Sequence, residues 1–408
     1  MKIKAQIFLS LAAIIFGLFI FSCKTPKQSE EEPYVVMLSV DGFRWDYPDK
    51  VETPNLDRIA KIGIKAKSLR PCFPSKTFPN HYSMATGLYP DHHGIVGNSF
   101  YAPDLDAFYA IQDREAVENG DFYRGEPIWT TAEKQGIITG SYFWVGSEAP
   151  CQGIRPTYWK KYDHYFPFEQ RIDSVISWLQ LPENIRPHLI TWYIHEPDAL
   201  GHSYGPDSDT MKYEIHYLDS LIGVFMSKVN SLPYKDKINI IVTSDHGMAT
   251  IKKSKTVILK KSIQEKWFDK IEGSSPVFNL KFNEEYRDTA LAVLKSIKEL
   301  KVWEHGKLPE RLHYGTNPRT LDLIVVADSS YNVVWNVKRA HDGGNHGFDN
   351  FNKDMHAIFY AYGPAFKINY IHPTFNNVDI YPLITEILKL QPTEVDGKLE
   401  NVIEMLKN

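Results

Sequence analysis

The sequence predicts an α/β fold with a doubly wound, mostly parallel sheet and a small α+β insertion. Uninterrupted apolar runs alternate with helical segments, a pattern typical of parallel strands that are buried on both faces. Between about residues 250 and 340 the pattern changes to alternating segments. In addition, Asp41, Asp198 and Asp245 each closely follow one apolar run. Because such sheets bind ligands at the carboxyl ends of their strands, these three carboxylates are expected to share one site.

The strands and helices can be predicted in chain order from the apolar runs, the helix-capping residues, and the proline and glycine residues that end them. Strands of the main sheet are predicted at 34–40, 141–144, 188–194, 237–243 and 357–361. Helices are predicted at 54–62, 126–135, 168–181, 207–229 and 378–390, the first capped by Thr53 and opened by Pro54. Inside the insertion, strands 277–282 and 321–326 flank a helix at 284–300. Thr77 is expected in a loop, immediately before a helix that opens at residues 78–80.

The N-terminal segment predicts export. Lys2 and Lys4 precede an apolar run at 7–21, which is shorter than the roughly 20 residues of a membrane span, so 1–22 is predicted to be a signal peptide. Ile20-Phe21-Ser22-Cys23 resembles a bacterial lipobox, which implies lipidation of Cys23. Residues 23–33 would then form a polar tether, and 34–408 the catalytic domain. We therefore expect a membrane-anchored lipoprotein, periplasmic or at the cell surface; an ordinary secreted protein is the alternative.

The net charge and the aromatic content of the chain indicate which kinds of ligand to expect. The chain has 408 residues and a net charge of -4 with intermixed signs, so nucleic acid is not expected as the main partner. The 23 Tyr, 22 Phe and 9 Trp suit either a core or a pocket that stacks planar groups. Because a cysteine pair in an exported protein commonly forms a disulfide, a bridge is predicted between Cys72 and Cys151.

Histidines accompany the three carboxylates. His246 adjoins Asp245, His202 is four residues beyond Asp198, and His346 lies in a glycine-rich loop. Converging carboxylates repel each other unless cations neutralise them, and mixed Asp/His ligation suits zinc, with manganese or iron as alternatives. Six such ligands and the Thr77 hydroxyl are enough for two metals, which stabilise in-line phosphoryl displacement when they lie about 4 Å apart.

Several multi-residue motifs resemble those of the nucleotide pyrophosphatase/phosphodiesterase family, in the alkaline phosphatase superfamily. They occur in register, in the family's order, at 76–81, 86–90, 93–98, 196–206, 244–248 and 344–347. This resemblance covers about residues 34 to 390 and implies an alkaline-phosphatase-like fold.

The resemblance also implies a catalytic centre with two Zn²⁺ ions. One zinc would be bound by Asp41, Thr77, Asp245 and His246, and the other by Asp198, His202 and His346. Thr77 would be the nucleophile and would form a phospho-threonine intermediate. Asn98 would hold a phosphoryl oxygen together with the backbone N–H that follows Thr77. The implied activity is hydrolysis of nucleotide phosphodiester or pyrophosphate bonds, with release of a nucleoside monophosphate.

The substrate is less determined than the chemistry. Phe78 and Tyr162 match the aromatic residues that hold a base in nucleotide-cleaving members, and Trp144 matches a nearby pocket residue; the alternative is that these rings are packed core. Val145 departs from the proline found after this tryptophan in well-known animal members. A dinucleotide, a nucleoside triphosphate, a nucleotide sugar and a choline-type lipid headgroup all remain open as substrates.

Three other functions compete with this interpretation. A phosphomonoesterase of the same superfamily could share Thr77 and Asn98, but it would need extra cationic contacts for a dianionic phosphate, and no arginine except Arg70 is close to Thr77 in the sequence. A surface lipoprotein that binds nucleotide without turnover would not need a nucleophile. Residues 72–76 also resemble a sulfatase motif, with Lys76 where an arginine is expected.

Overall fold

The apolar runs of the sequence form one central sheet in a computed structural model of the protein, which describes residues 32–329 and 331–407. The predicted signal peptide, Cys23 and all but the last two residues of the predicted tether lie outside the described residues. Residues Pro33–Asn408 form one compact unit. No helix within the described ranges is long and apolar enough to cross a bilayer.

The strands and helices are numbered in chain order. The strands are β1 (Tyr34–Val40), β2 (Ile64–Ala66), β3 (Leu69–Arg70), β4 (Ser99–Ala102), β5 (Ala107–Ala110), β6 (Thr139–Tyr142), β7 (Tyr158–Lys160), β8 (Leu189–Ile194), β9 (Ile238–Thr243), β10 (Ala249–Ile251), β11 (Thr256–Ile258), β12 (Phe268–Ser274), β13 (Val277–Phe282), β14 (Leu300–Glu304), β15 (Leu323–Ala327), β16 (Asn332–Val334), β17 (Gly343–Asn345), β18 (Phe359–Tyr362), β19 (Tyr370–His372) and β20 (Phe375–Asn376). The α-helices are α1 (Tyr47–Lys50), α2 (Pro54–Ile62), α3 (Thr77–Thr86), α4 (Pro90–His93), α5 (Arg114–Glu118), α6 (Ile128–Lys134), α7 (Phe168–Leu179), α8 (Asp198–Tyr204), α9 (Asp209–Asn230), α10 (Arg287–Ser296) and α11 (Ile380–Ile387).

The main sheet has eight strands in the order β19-β2-β18-β9-β1-β8-β6-β7. Every neighbouring pair is parallel except the two pairs that involve β18, which runs opposite to the others. Central strand β1 is buried along its whole length, as its continuous apolar run predicts. The predicted mostly parallel, doubly wound α/β class is confirmed.

Helices cover both faces of this sheet. Because side chains alternate along a strand, Val35 and Met37 of β1 join a core with α3, α6 and α11, whereas Val36 and Leu38 join a core with α2, α7 and α9. The sheet is therefore a rigid middle layer. Loops at the carboxyl ends of its strands can hold side chains in fixed positions.

Element boundaries differ from the predictions by a few residues, and in one place the physical reason is clear. Strand β6 ends at Tyr142 and not at Trp144, because Phe143 has a φ of 70°. A left-handed backbone conformation cannot continue a strand. This bend directs the following loop toward the carboxyl edge of the sheet, where Phe143 and Trp144 line a pocket.

The insertion is a second sheet with its own core. Strands β12, β13, β15 and β14 form an antiparallel sheet in that spatial order, and α10 packs against it. The hairpin turn between β12 and β13 approaches the start of α3, where the carbonyl oxygen of Ser275 accepts a hydrogen bond of 2.6 Å from Lys76 Nζ. Through this contact the insertion reaches the loop that carries Thr77.

The predicted disulfide between Cys72 and Cys151 is wrong. Both residues are buried free thiols, and each has its own hydrogen-bond acceptor. Cys72 Sγ donates to Asn377 Oδ1 at 2.9 Å, and Cys151 Sγ donates to the Gly146 carbonyl at 3.4 Å. The two sulfur atoms are thus fixed in separate environments.

Helix α2 is capped from another helix and not by Thr53, whose side chain makes no capping hydrogen bond. The carboxylate of Asp219 on α9 accepts hydrogen bonds from the backbone N–H groups of Asn55 at 3.1 Å and Leu56 at 2.9 Å. Asp219 is 1% exposed, so these bonds lie away from water. The first turn of α2, otherwise left with unpaired donors, is thereby joined to α9.

We predict that Asp219→Asn destabilises the fold by about 2 kcal/mol, because one charged acceptor is replaced by an amide donor facing a backbone N–H. Urea unfolding followed by circular dichroism measures the loss. Asp236→Asn, the same change at an exposed position, is the matched control and should alter the free energy of unfolding by less than about 0.5 kcal/mol. Equal stability of the two variants would contradict this account of the cap.

Candidate metal centre

The carboxyl edge of the sheet brings the predicted acids together. Asp41 directly follows β1, Asp245 lies two residues beyond β9, and Asp198 opens α8 after β8. Gly42 makes the close approach possible. Its φ is +71°, and a Cβ there would lie 3.1 Å from the Cα of Asp198. The Gly42 N–H also donates to Asp245 Oδ1 at 3.1 Å.

Asp41, Asp245 and His246 form a first group of possible metal ligands, with one ligand atom from each lying within 4.8 Å of the others. His246 Nε2 is 3.4 Å from Asp41 Oδ1 and 3.1 Å from Asp245 Oδ2. The three residues are almost completely buried. The structure therefore brings this predicted set together around one point.

Asp198, His202 and His346 form a second group of the same kind. Asp198 offers both carboxylate oxygens, with Oδ2 3.5 Å from His202 Nε2 and Oδ1 3.6 Å from His346 Nε2. Helix α8 carries Asp198 and His202 four residues apart, on one helical face. His346 follows β17, the strand that packs against α8.

The two groups are neighbours. The imidazole rings of His246 and His346 stack with centroids 3.6 Å apart and an interplanar angle of 15°. One ring belongs to each group, so two cations bound here would lie close to each other. This proximity is what a two-metal phosphoryl-transfer site requires.

All three histidines have the same orientation. Their Nδ1 atoms lie against backbone carbonyl oxygens, at 2.9 Å from Gly247 for His246, 3.0 Å from Gly344 for His202 and 2.8 Å from Ser75 for His346. A carbonyl accepts only, so Nδ1 carries the proton in each case. The Nε2 lone pairs then face the carboxylates, which is the tautomer of a metal-binding histidine.

Three buried carboxylate oxygens have no hydrogen-bond partner within the described residues, one from each acid: Asp41 Oδ1, Asp198 Oδ1 and Asp245 Oδ2. Burial and the neighbouring carboxylates raise the pKa of Asp41 well above its usual range, and burial raises the pKa of Asp245 to about 8. Burial lowers the pKa of His246, so its imidazole stays neutral and supplies no compensating charge. Unpaired buried acids beside neutral histidines fit divalent cations.

Thr77 lies at the edge of the first group. It is the first residue of α3, so the helix begins one residue earlier than predicted and Lys76 is its N-cap. Thr77 Oγ1 is 3.3 Å from His246 Nε2. The hydroxyl therefore lies beside the candidate cation site and at the positive end of the α3 dipole, which attracts anions.

The side chain of Asn98 makes a contact that the sequence analysis did not predict. Its Oδ1 accepts a hydrogen bond of 3.0 Å from the Phe78 N–H, so the two predicted phosphoryl donors bond to each other. This contact fixes the orientation of the amide. Oδ1 is thereby engaged by the helix, and Nδ2 is the donor that Asn98, a lining residue of the pocket, can offer to a ligand.

A pocket of about 330 Å³ opens beside the two groups, and Thr77, Phe78, Trp144 and Tyr162 contribute to its wall. Phe78 and Tyr162 are partly exposed, as residues that contact a ligand must be. Trp144 is 1% exposed and its Nε1 donates to the His81 carbonyl at 3.1 Å. Its indole is therefore fixed in the pocket floor, with little surface left for stacking.

Two residues that the sequence analysis did not assign to the site also belong there. Tyr193 donates from its hydroxyl to Asp41 Oδ2 at 2.5 Å. Lys76 is 8% exposed, and burial lowers the pKa of its ammonium to about 8. The only sequence signal for Tyr193 was its place one residue before the end of an apolar strand, and Lys76 had only its position next to Thr77.

Residues 35–349 match the family model described as type I phosphodiesterase/nucleotide pyrophosphatase. The chain belongs to this family. The resemblance read from the motifs is thereby confirmed, and the mostly parallel sheet agrees with an alkaline-phosphatase-like fold.

Relatives in this family include ectonucleotide pyrophosphatase/phosphodiesterase family member 1 of Homo sapiens, 36% identical over 93% of this chain and 42% of the relative. The venom phosphodiesterase CdcPDE of Crotalus durissus collilineatus is 35% identical over 94% of this chain and 47% of the relative. The chain thus spans less than half the length of these relatives.

Solved structures of the same family superpose closely. An inactive threonine-to-alanine variant of murine ectonucleotide pyrophosphatase/phosphodiesterase 5, in complex with AMP, is 32% identical and has a TM-score of 0.89. It covers 92% of this chain and 100% of its own. The human protein of the same name has the same identity, TM-score and coverage.

We predict that Tyr193→Phe weakens metal binding by about 10- to 100-fold, because a hydrogen bond that orients a ligating carboxylate is lost. Titration of metal-free protein with Zn²⁺ in a calorimeter measures this. Tyr158→Phe is the control, since it removes a tyrosine hydroxyl bond to the Ile185 carbonyl at the edge of the sheet. Unchanged affinity in Tyr193→Phe would show that Asp41 needs no such support.

Proposed function

We propose that this protein is a two-metal phosphodiesterase/nucleotide pyrophosphatase. It cleaves nucleotide phosphodiester or pyrophosphate bonds and releases a nucleoside monophosphate. The observation that carries this proposal is the meeting of the two ligand groups beside the Thr77 hydroxyl, which is 3.3 Å from His246. A site that only bound nucleotides would have no use for a hydroxyl in that position.

We propose zinc as the metal, because nitrogen and carboxylate oxygen ligands in groups of three suit it. The first ion would be held by Asp41, Asp245, His246 and Thr77. The second would be held by Asp198, His202 and His346. When bound, the ions would lower the pKa of the Thr77 hydroxyl and offset the negative charge of the phosphoryl group.

The chain's own groups would then act in two stages. The deprotonated Thr77 Oγ1 attacks phosphorus while the bond from phosphorus to the leaving-group oxygen breaks, and a diester between Thr77 and the nucleoside monophosphate forms. Water then attacks the same phosphorus, the bond to Thr77 Oγ1 breaks, and the nucleoside monophosphate is released. The free Nδ2 donors of Asn98 hold a non-bridging oxygen during both stages. The dipole of α3 adds positive potential on the same side.

The nucleoside is proposed to lie in the pocket of about 330 Å³, where the rings of Phe78 and Tyr162 are partly exposed. AMP in the structure of the murine relative supports a nucleotide as the ligand class. Offset stacking on such rings would hold a base and leave the α-phosphate near Thr77.

Thr77→Ala should lower kcat for a p-nitrophenyl nucleotide diester by at least about a thousandfold, because the attacking oxygen is absent. Binding of AMP, measured by calorimetry, should change by less than about tenfold. Thr77→Ser is the control and should keep measurable turnover. Wild-type-like turnover in Thr77→Ala would refute the nucleophile assignment.

A second assay separates the proposal from a phosphomonoesterase. Arg70, the cation closest in sequence to Thr77 after Lys76, is held elsewhere: its Nη1 donates to Asn376 Oδ1 at 3.3 Å and its guanidinium lies over Phe351. A dianionic monoester would therefore lack this partner. The p-nitrophenyl diester should be hydrolysed faster than p-nitrophenyl phosphate, and the reverse ratio would favour a monoesterase.

We also propose that the protein is exported and anchored to a membrane through a lipid on Cys23. This proposal rests on the lipobox-like residues 20–23 alone. In a bacterial host fed radiolabelled palmitate, the wild-type chain should incorporate label and partition into the membrane fraction. Cys23→Ser should do neither, and labelling of both proteins would place the lipid on another residue.

A further inference from the structure

The edge of the main sheet at β19 carries exposed aliphatic side chains. Strand β19 is the outermost strand on this side, where it pairs with β2. Ile371 in β19 is 64% exposed, and Ile368, two residues before the strand, is 66% exposed. Large aliphatic side chains that are this exposed on an edge strand favour association with another apolar surface.

Two further isoleucines lie beside the same strand. Ile62, at the end of α2, is 41% exposed, and the Tyr370 N–H donates to the carbonyl of the adjacent Gly63 at 3.1 Å. Ile403 is 40% exposed in a C-terminal segment that accepts a backbone hydrogen bond of 2.9 Å from Lys367. The isoleucine patch is defined by four residues: Ile62, Ile368, Ile371 and Ile403.

Lysines surround the isoleucine patch. Lys65 is the neighbour of Ile371 across the pair of strands β2 and β19, and Lys367 directly precedes Ile368. Lys65 also pairs with Asp49 at 3.5 Å. Five lysines and one acid lie in the three segments that carry the patch, residues 61–67, 367–372 and 403–407. An apolar patch with a lysine-rich rim fits a bilayer with anionic headgroups, whose interior is apolar and whose surface is negative.

The patch lies toward the edge of the sheet at which β1 begins. Strands β1, β2 and β19 run in the same direction, so their amino ends lie at one edge. Ile62 and Ile368 each come two residues before a strand, and Pro33 directly precedes β1. The candidate metal centre lies at the opposite edge, at the carboxyl ends of the strands. A surface that covered the patch would therefore leave the metal centre open to solvent.

The proposed lipid on Cys23 is within reach of the patch. Ten residues lead from Cys23 to Pro33, and they span at most about 36 Å when fully extended. Strand β19 is four places from β1 in the main sheet, which corresponds to about 19 Å at the usual strand spacing. A bilayer that held the lipid could therefore also contact the patch.

We propose that the isoleucine patch and its lysines bind the surface of a bilayer that contains anionic phospholipids. The isoleucines enter the boundary between headgroups and acyl chains, and the ammonium groups remain at the level of the phosphates. This contact orients the protein so that substrates reach the metal centre from the side away from the membrane. The inference does not depend on the proposed reaction.

Vesicle binding tests the inference in the absence of the lipid. The compact unit of residues 33–408, its fold checked by circular dichroism, should sediment with phosphatidylcholine vesicles that contain about 40% phosphatidylglycerol, and not with pure phosphatidylcholine. Binding should weaken at least about tenfold between about 50 and about 300 mM NaCl, because salt screens the lysines. Equal binding to both kinds of vesicle, or to neither, would overturn the proposal. Because this unit lacks Cys23, the result is independent of lipidation.

A double variant tests the patch itself. Ile368→Ser with Ile371→Ser should lower the partition coefficient on the anionic vesicles by at least about tenfold, because two exposed aliphatic side chains are lost. Turnover of a p-nitrophenyl nucleotide diester should not change. Val224→Ser with Val337→Ser is the matched control, since these valines are 43% and 54% exposed and lie on α9 and in the insertion. Unchanged binding in the isoleucine variant, or an equal loss in both variants, would overturn the proposal.

A second copy of the chain, paired edge to edge through β19, is the alternative occupant of this surface. Sedimentation velocity at micromolar concentrations separates the two. The unit of residues 33–408 should be a monomer in the absence of vesicles. A dimer that dissociates in the isoleucine double variant would assign the patch to a protein interface and overturn the membrane assignment.

Discussion

The arrangement of the site depends on three carboxylates, two of them buried and the third half-buried, that converge at one edge of a mostly parallel sheet without enough nearby positive charge to balance them. Asp41, Asp198 and Asp245 each present an oxygen that no described group hydrogen-bonds. The histidines beside them are held by backbone carbonyls in the neutral form that donates a lone pair. Such a cluster is stable when divalent cations bind between its members, and the same cations would activate a hydroxyl beside them.

A small number of contacts between segments that are distant in the sequence bring this cluster together. Parallel strands β1, β8 and β9 bring their carboxyl ends to one edge, and the φ of +71° at Gly42 lets the turn after β1 come close to Asp198. Lys76 then links the start of α3, which carries Thr77, to the insertion through the carbonyl of Ser275. The central sheet thus holds the candidate metal ligands, while the insertion borders the same site from one side.

The sequence predicted those parts of the site that depend on local pattern. Asp41 and Asp245 could be located because each follows an unbroken apolar run. Outside the site, the helix from Pro54 to Ile62 could be predicted in the same way, because a proline begins it and a glycine ends it. Contacts between distant segments could not be predicted in this way. Asp219 replaces Thr53 as the cap because α9 happens to pack there, and the disulfide prediction failed because counting cysteines says nothing about the distance between them.

The central claim is that two cations bind here, one in each group of ligands. The most direct measurement is the metal content of purified, zinc-loaded protein by mass spectrometry, for the wild type and for His346→Ala, which removes a ligand from the second group and none from the first. The account predicts two ions per chain in the wild type and one in the variant. One ion or none in the wild type, or two in the variant, would contradict it.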